Sequence, residues 1–173
     1  MSVTNVVIAG LGGQGVIKAS DILAAAALRS GLDVKKSELH GMSQRGGSVT
    51  SDVRFGELVL SPMVPHGEAD FLVVLEPTQV EVNLPLLRNG GRLLAPELIP
   101  EGRLRNKRTL NVAMLGALSR FVPLLPEAIL AATKLALPER LHAVNERAFD
   151  LGRELAAELA TPQGQPCQGG RSE

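Results

Sequence analysis

The sequence predicts an α/β fold, namely a three-layer α/β/α sandwich with a mixed but mainly parallel sheet and helices on both faces. The first observation is a strand, a turn and a helix in direct succession, because a β-branched run at residues 3–9 meets a glycine-rich turn and then an Ala-rich helix at 16–29. The second is that strand-like and helix-like runs alternate as far as residue 95. The third is the composition, since 45% hydrophobic and 21% charged residues in a chain of 173 suit one folded domain.

The remaining elements follow from short apolar runs and from the residues that interrupt them. Gly31 is expected to end the first helix, and residues 40–47 are predicted to form a loop between two strands. The second of these strands, at 48–55, is antiparallel and continues as a hairpin to residue 60, before two prolines break the chain. Residues 1–160 are predicted to form the domain and 161–173 a disordered tail. Further strands are predicted at 32–39, 71–75 and 92–95, and further helices at 77–88, 111–121, 127–135 and 138–160.

Composition and charge argue against several classes of function. Lys plus Arg and Asp plus Glu both count 18, so no global field attracts a nucleic acid or an anionic membrane. The chain has no Trp and no Tyr, and therefore lacks the usual platforms for stacking bases. Cys167 is the single cysteine, so the chain by itself holds neither an intramolecular disulfide nor an iron–sulfur cluster. Neither a signal peptide nor a membrane span is predicted, and the expected location is the cytoplasm.

The first motif with chemical potential is the turn at residues 10–15, which reads Gly-Leu-Gly-Gly-Gln-Gly. Placed between a strand and a helix, it gives the chain a Rossmann-like start, in which backbone N–H groups can approach a phosphate. Asp33 lies about where an acidic ribose ligand is expected, roughly 20 residues on. A tight turn that closes a helix onto a sheet needs the same glycines, so both interpretations stay open. The candidate binding residues here are Gly10, Gly12, Gly13, Gln14 and Gly15.

The second motif is the loop at 40–48, which reads His-Gly-Met-Ser-Gln-Arg-Gly-Gly-Ser. Its arginine can bind a carboxylate or phosphate through two hydrogen bonds, and the backbone amides that follow can form a concavity for an anion. The histidine is better explained as an orienting hydrogen-bond partner than as a general base, because the spacing assembles no catalytic triad. The candidate residues of this loop are His40, Gln44, Arg45, Gly46, Gly47 and Ser48, and no residue of the chain is predicted to be catalytic.

Three other features carry less weight. His66 lies in a turn, where packing is the better explanation for it, and Glu76 precedes a proline, where it is expected to cap the next helix. A basic run at residues 103–108 can dock an acidic partner, although such runs are usually solvated loops.

The two glycine motifs together, at 10–16 and 40–49, resemble the beta subunit of indolepyruvate:ferredoxin oxidoreductases. The same module is similar to the gamma subunit or domain of pyruvate and other 2-oxoacid:ferredoxin oxidoreductases, where a Tyr-Gly-Pro-Glu version of the second motif is usual. The version in this chain points to the indolepyruvate branch. Matching segments at 61–70, 75–77 and 111–117 extend the resemblance over about residues 4–160.

The resemblance implies the oxidative decarboxylation of an aryl 2-oxoacid with coenzyme A, which yields an aryl-acetyl-CoA, carbon dioxide and reduced ferredoxin. It also implies that thiamine diphosphate and the iron–sulfur clusters belong to a large alpha subunit, and that ferredoxin is reached through the complex. The chain would then be an accessory subunit, inactive alone and binding no cofactor by itself. Its turn at 10–15 and Arg45 are expected to help receive the phosphates of coenzyme A.

Two alternatives stay open from the sequence. One is a stand-alone NAD(P)-binding module or dehydrogenase of Rossmann type, which depends on the glycine turn and Asp33. The other is a non-enzymatic adaptor whose Ala- and Leu-rich helices at 111–160 serve assembly only.

Overall fold

In a computed structural model, a five-stranded mixed sheet lies at the centre of the protein. The structure describes residues 3–41 and 46–160, and residue 160 is described by its backbone alone. The spatial order of the strands is β2-β3-β1-β4-β5, and β3 alone runs against the others. The predicted class and the mixed, mainly parallel sheet are thereby confirmed. The predicted tail at 161–173 and residues 42–45 of the second motif, among them the candidates Gln44 and Arg45, lie outside the described residues. The strands are β1 (Thr4–Leu11), β2 (Asp33–His40), β3 (Ser48–Gly56), β4 (Ala69–Val74) and β5 (Leu87–Leu94).

Four helices cover one face of the sheet and enclose the larger core. Apolar residues of β1 and β3 that point to this face, such as Ile8 and Phe55, are fully buried against them. The first helix has the predicted bounds, and Gly31 follows it with φ of 81°. The helices of the chain are α1 (Val16–Arg29), α2 (Val80–Asn83), α3 (Leu110–Leu118), α4 (Pro126–Ala136) and α5 (His142–Ala160), and all except α2 belong to this layer.

The opposite face of the sheet carries a thinner layer. A smaller apolar cluster that includes Val7 and Leu72 is covered by α2 and by the 3₁₀ turns Pro77–Gln79 and Leu84–Leu86 on either side of it. The prediction of a continuous helix at 77–88 is therefore wrong. Pro85 has no N–H to donate to the preceding turn, so the α-helical segment ends at Asn83 and β5 begins earlier than predicted.

The segment after β3 is a loop tied to the sheet by charged side chains, and not the predicted hairpin to residue 60. Asp33 accepts a hydrogen bond from Val59 N, and Asp52 accepts one from Val64 N, both at 2.8 Å. Arg54 donates to the carbonyls of the same loop. The strand ends at Gly56 because the loop's backbone binds side chains, and two prolines interrupt any ladder.

Helices α3 and α5 cross in direct backbone contact. A Cβ atom placed on Gly116 would lie 2.0 Å from the carbonyl oxygen of Phe149, and one on Gly152 would lie 1.8 Å from that of Ala113. The two glycines allow a separation of the helices that no larger residue permits. The crossing holds α3, whose residues from Asn111 to Leu118 are all buried, over the sheet.

Candidate functional site

Both predicted motifs lie at the same edge of the sheet. The glycine turn follows the carboxyl end of β1, and Leu11 is paired with Ser48 at the amino end of the antiparallel β3. His40, at the carboxyl end of β2, is paired with Val49, which in turn faces Gly10. Insertion of an antiparallel strand between β1 and β2 thus places the ends of three strands side by side at this edge.

A backbone hydrogen bond joins the two motifs directly. The backbone N–H of Gly12 in the first motif donates to the carbonyl oxygen of Gly47 in the second at 2.9 Å. Within the second motif, the N–H of Gly41 donates to Ser48 O at 2.7 Å. Gly12 and Gly46 are exposed, and the nearest heavy atom to a Cβ placed on Gly12 would be Gly46 N at 3.6 Å. The backbones of the two motifs are therefore neighbours on the surface.

Gln14 connects the glycine turn to the end of β4. Its Oε1 accepts a hydrogen bond from Leu11 N at 2.8 Å, and its Nε2 donates to Glu76 Oε2 at 2.7 Å. The side chain folds over Gly10, where an added Cβ would lie 2.8 Å from Gln14 Oε1. Glu76 stands at the expected cap position, but its side chain makes no capping bond, so the predicted role as a cap is wrong. The carboxylate instead holds the Gln14 amide in place.

Gly15 immediately precedes α1 and has a left-handed conformation, with φ of 84°. A Cβ at this residue would lie 2.4 Å from Asn111 Nδ2, which donates to Gly15 O at 3.3 Å. Gly13 also has a positive φ, 91°, but it faces open space. The turn thus needs glycine for its backbone at both residues, and at Gly15 also for the approach of α3.

Two further residues complete this edge. Ser48 Oγ donates to Gln79 Oε1 at 2.7 Å, which ties β3 to the 3₁₀ turn before α2. Sequence reasoning did not identify Gln79 as a site residue, because nothing local connects it to a loop far away in the chain. Asn111 was likewise absent from the predicted site. A signal for it existed, since it is a polar residue at the head of an otherwise apolar helix.

His40 extends from β2 with 61% of its side chain exposed, and its Nε2 lies 3.5 Å from Glu38 Oε2. Hydrogen bonding to Lys36 lowers the pKa of Glu38, with a smaller contribution from His40. Burial opposes the charge of Lys36, but the carboxylates of Asp21 and Glu38 outweigh it and raise the pKa of the lysine. The charged side chains of Asp21, Lys36 and Glu38 therefore form a row from α1 along β2, and the row ends beside His40.

Two other candidates lie at the opposite edge of the sheet. Asp33 is paired with Gly56 at the start of β2, level with the amino end of β1, and its carboxylate binds Val59 N. His66 is exposed in a turn just before β4 begins. A dinucleotide seated on the glycine turn cannot reach Asp33 across the length of the sheet. The geometry therefore does not favour the Rossmann-type NAD(P)-binding alternative.

The described residues contain no group of three or more His, Cys, Asp or Glu side chains arranged to hold a metal ion. Cys167 lies outside them. Within residues 3–41 and 46–160, no helix has the length and apolar character needed to cross a bilayer.

Comparisons with known proteins first define the class of the fold. The chain superposes on the gamma subunit of a keto/oxoacid ferredoxin oxidoreductase from Geobacter sulfurreducens PCA with a TM-score of 0.77. The match covers 91% of this chain and 98% of that subunit at 23% identity, which establishes a common fold.

Sequence matches then identify the family. A family model described as pyruvate ferredoxin/flavodoxin oxidoreductase matches residues 5–102, more than half of the chain. The indolepyruvate oxidoreductase subunit IorB of Thermococcus kodakarensis is 35% identical over 90% of this chain and 96% of that protein. The subunit of the same name from Pyrococcus horikoshii is 33% identical over the same shares. The chain belongs to the pyruvate ferredoxin/flavodoxin oxidoreductase family, within which it stands with the small subunits, and the predicted resemblance is confirmed.

Proposed function

We propose that the protein is the accessory subunit of a thiamine-diphosphate-dependent indolepyruvate:ferredoxin oxidoreductase, and that its two glycine motifs face the active site of the large subunit. The reaction is the oxidative decarboxylation of an aryl 2-oxoacid with coenzyme A, and ferredoxin receives the electrons. Thiamine diphosphate supplies the carbanion chemistry and iron–sulfur clusters supply electron transfer, both from the large subunit. Family membership and the relatives named above support this assignment.

The observation that carries the site proposal is the hydrogen bond from Gly12 N to Gly47 O. It joins two motifs that are far apart in the chain into one exposed backbone surface beside the start of α1. Such surfaces, next to the start of a helix, attract phosphate and carboxylate groups. The nearby carboxylate of Glu76 accepts a hydrogen bond from Gln14 Nε2 and so holds the first motif in place.

Each residue of this surface has a proposed task. Gly12 and Gly13, which are exposed, let the backbone come close to the phosphates of coenzyme A. Gly10 and Gly15 shape the turn by admitting the side chains of Gln14 and Asn111, and Gln14 holds the turn on the end of β4. Gly46, Gly47 and Ser48 support the second motif, and His40 lies beside it at the end of β2. Gln44 and Arg45, which lie outside the described residues, are proposed to add an amide and a guanidinium for an anionic group.

The assignment is tested by co-expressing the chain with the thiamine-binding large subunit of the same organism. We expect a stable complex that reduces ferredoxin when an arylpyruvate and coenzyme A are present, whereas the isolated chain is inactive. Failure to associate, or a complex without this activity, would contradict the assignment.

The role of the second motif is tested in that complex by Arg45→Ala. We expect KM for coenzyme A to rise about tenfold while the complex stays intact, because one charge-assisted contact to an anion is lost. An unchanged KM and an unchanged kcat would exclude this residue from the site. Intact association with unchanged activity would favour the adaptor alternative for this loop.

A further inference from the structure

We propose that the protein carries a second interaction surface, an arginine-lined groove that binds an acidic, amphipathic segment of a partner polypeptide. The groove lies between residues 103–109 and the start of α5. It is formed by two adjoining cavities of about 220 and 270 Å³ that share Thr109 and Val144 in their walls. The proposal rests on the proposed function, because it needs a protein partner, but it concerns a surface other than the glycine motifs.

The rim of the groove concentrates positive charge. Arg103, Arg105 and Arg147 line the first cavity, and Arg108 and Arg140 line the second. All five side chains belong to exposed residues. In a protein whose formal net charge is zero, five guanidinium groups on one groove are a strong local excess.

The arginines on this rim lack the close carboxylate partners that other cations have in the described part of the chain. Elsewhere the structure pairs cations with carboxylates, as in Arg88 with Asp70 at 2.7 Å and Lys134 with Glu146 at 3.3 Å. Close to the groove, Glu101 is paired with Lys107. None of the five rim arginines forms an ion pair with a described carboxylate. Their fixed positive charge therefore favours an anionic occupant from outside.

The floor of the groove explains why the occupant is a polypeptide and not a compact anion. Leu104, Val144, Ala148 and Leu151 line the first cavity with aliphatic surface. A phosphate site needs donors that converge on one point, whereas these arginines are spread along two cavities. Aliphatic side chains on one face of a segment, with Asp or Glu beside them, match both the floor and the rim.

The groove also lies next to the candidate site. Asn111 lines the second cavity and donates to Gly15 O, at the end of the glycine turn. A partner segment that lies in the groove would therefore reach the side of the turn. Docking there would orient the glycine motifs toward the partner that the proposed function requires.

The test uses the full chain and the purified large subunit, with the dissociation constant measured by titration calorimetry at low and at high salt. Arg105→Glu/Arg147→Glu is expected to weaken the complex about tenfold or more at low salt and to reduce its salt dependence. The single variant Arg147→Glu is compared with a matched control, Arg29→Glu. Arg29 is also exposed, but it lies at the end of α1, far from the groove. The control is expected to bind within about twofold of the wild type, and circular dichroism verifies that all variants fold.

The outcomes separate the two proposals. If the wild-type chain fails to bind the large subunit, the proposed function is overturned and the groove proposal falls with it. If the wild type binds and the double reversal binds equally well, the groove proposal alone is overturned. Tight binding of inorganic tripolyphosphate that the double reversal abolishes, with the complex unaffected, would identify a small anion as the occupant and also overturn it.

Discussion

Gln14 reaches across the edge of the sheet to Glu76, with 2.7 Å between Gln14 Nε2 and Glu76 Oε2, while its Oε1 receives the N–H of Leu11. One amide thus links the ends of two parallel strands and holds the glycine turn in shape. The turn that is proposed to bind the phosphates of coenzyme A therefore depends on the Gln14 side chain for its shape.

Replacement of Gln14 by Ala is expected to lower the free energy of unfolding by about 1–2 kcal/mol, because two hydrogen bonds are lost and Leu11 N–H is left without its partner. Urea denaturation measures the change. Glu76→Gln serves as the control, since it keeps an acceptor for Gln14 and should cost less. Equal stability of Gln14→Ala and the wild type would show that the link does not order the turn.

Gly15→Ala is expected to destabilise the protein more than Gly31→Ala does. Both residues have φ above 80°, so each substitution bears a conformational cost of about 1–2 kcal/mol. Gly31 faces open space, whereas a methyl group at Gly15 would collide with Asn111. Thermal unfolding measures both variants, and equal losses would mean that Asn111 moves aside freely.

Gly13→Ala tests the approach of coenzyme A to the turn in the assembled complex. Gly13 and Gly31 share a positive φ and open surroundings, so alanine should cost similar stability at both. Only Gly13 belongs to the proposed phosphate surface, and its variant is expected to raise KM for coenzyme A about tenfold. Steady-state kinetics at varied coenzyme A concentrations measure KM for both variants. If KM changed equally in Gly13→Ala and Gly31→Ala, the result would count against a ligand at the turn.

Gly152→Ala should separate helices α3 and α5, because the new methyl group would lie 1.8 Å from Ala113 O. We expect a loss of about 3 kcal/mol in the free energy of unfolding, although alanine is the better helix former by about 1 kcal/mol. Glu154→Ala, an exposed change on the same helix, should stay within about 0.5 kcal/mol. A Gly152→Ala variant as stable as this control would refute close backbone packing at the crossing.

Asp52 makes stability depend on pH. Burial raises the pKa of its carboxyl above the ordinary value of 3.8, although the N–H of Val64 and the charge of Arg54 act in the opposite direction. The folded protein therefore binds a proton at the Asp52 carboxyl more tightly than the unfolded chain does. Protonation of Asp52 stabilises the fold fully below pH 3.8, and this contribution to the free energy of unfolding is lost as pH rises through the raised pKa.

Asp52→Asn keeps an acceptor for Val64 N and removes the buried charge. The variant is therefore expected to be more stable than the wild type at pH 7 by about 1 kcal/mol, and the difference should vanish at pH 3. Urea denaturation across this range measures it, with Asp33→Asn as a more exposed control that binds Val59 N in the same way. A less stable Asp52→Asn variant at pH 7 would show that attraction to Arg54 outweighs burial.

Local sequence patterns predicted much of the fold. The bounds of α1 were predicted correctly because an uninterrupted run of good helix formers lies between a glycine turn and Gly31, and these signals need no distant contact. The helix predicted at 77–88 failed because Pro85 outweighed the apolar pattern around it. The hairpin beyond Gly56 failed because Asp33, Asp52 and Arg54 bind the loop, and these bonds come from other strands.

The sequence by itself determined the α/β class, the two glycine motifs and the family to which they belong, because glycine spacing and apolar periodicity are written along the chain. Only the tertiary structure decided that β3 lies between β1 and β2, so that Gly12 bonds to Gly47 while Asp33 lies at the far edge. Strand order depends on hydrogen bonds and packing between segments distant in the chain, and no local preference encodes such contacts.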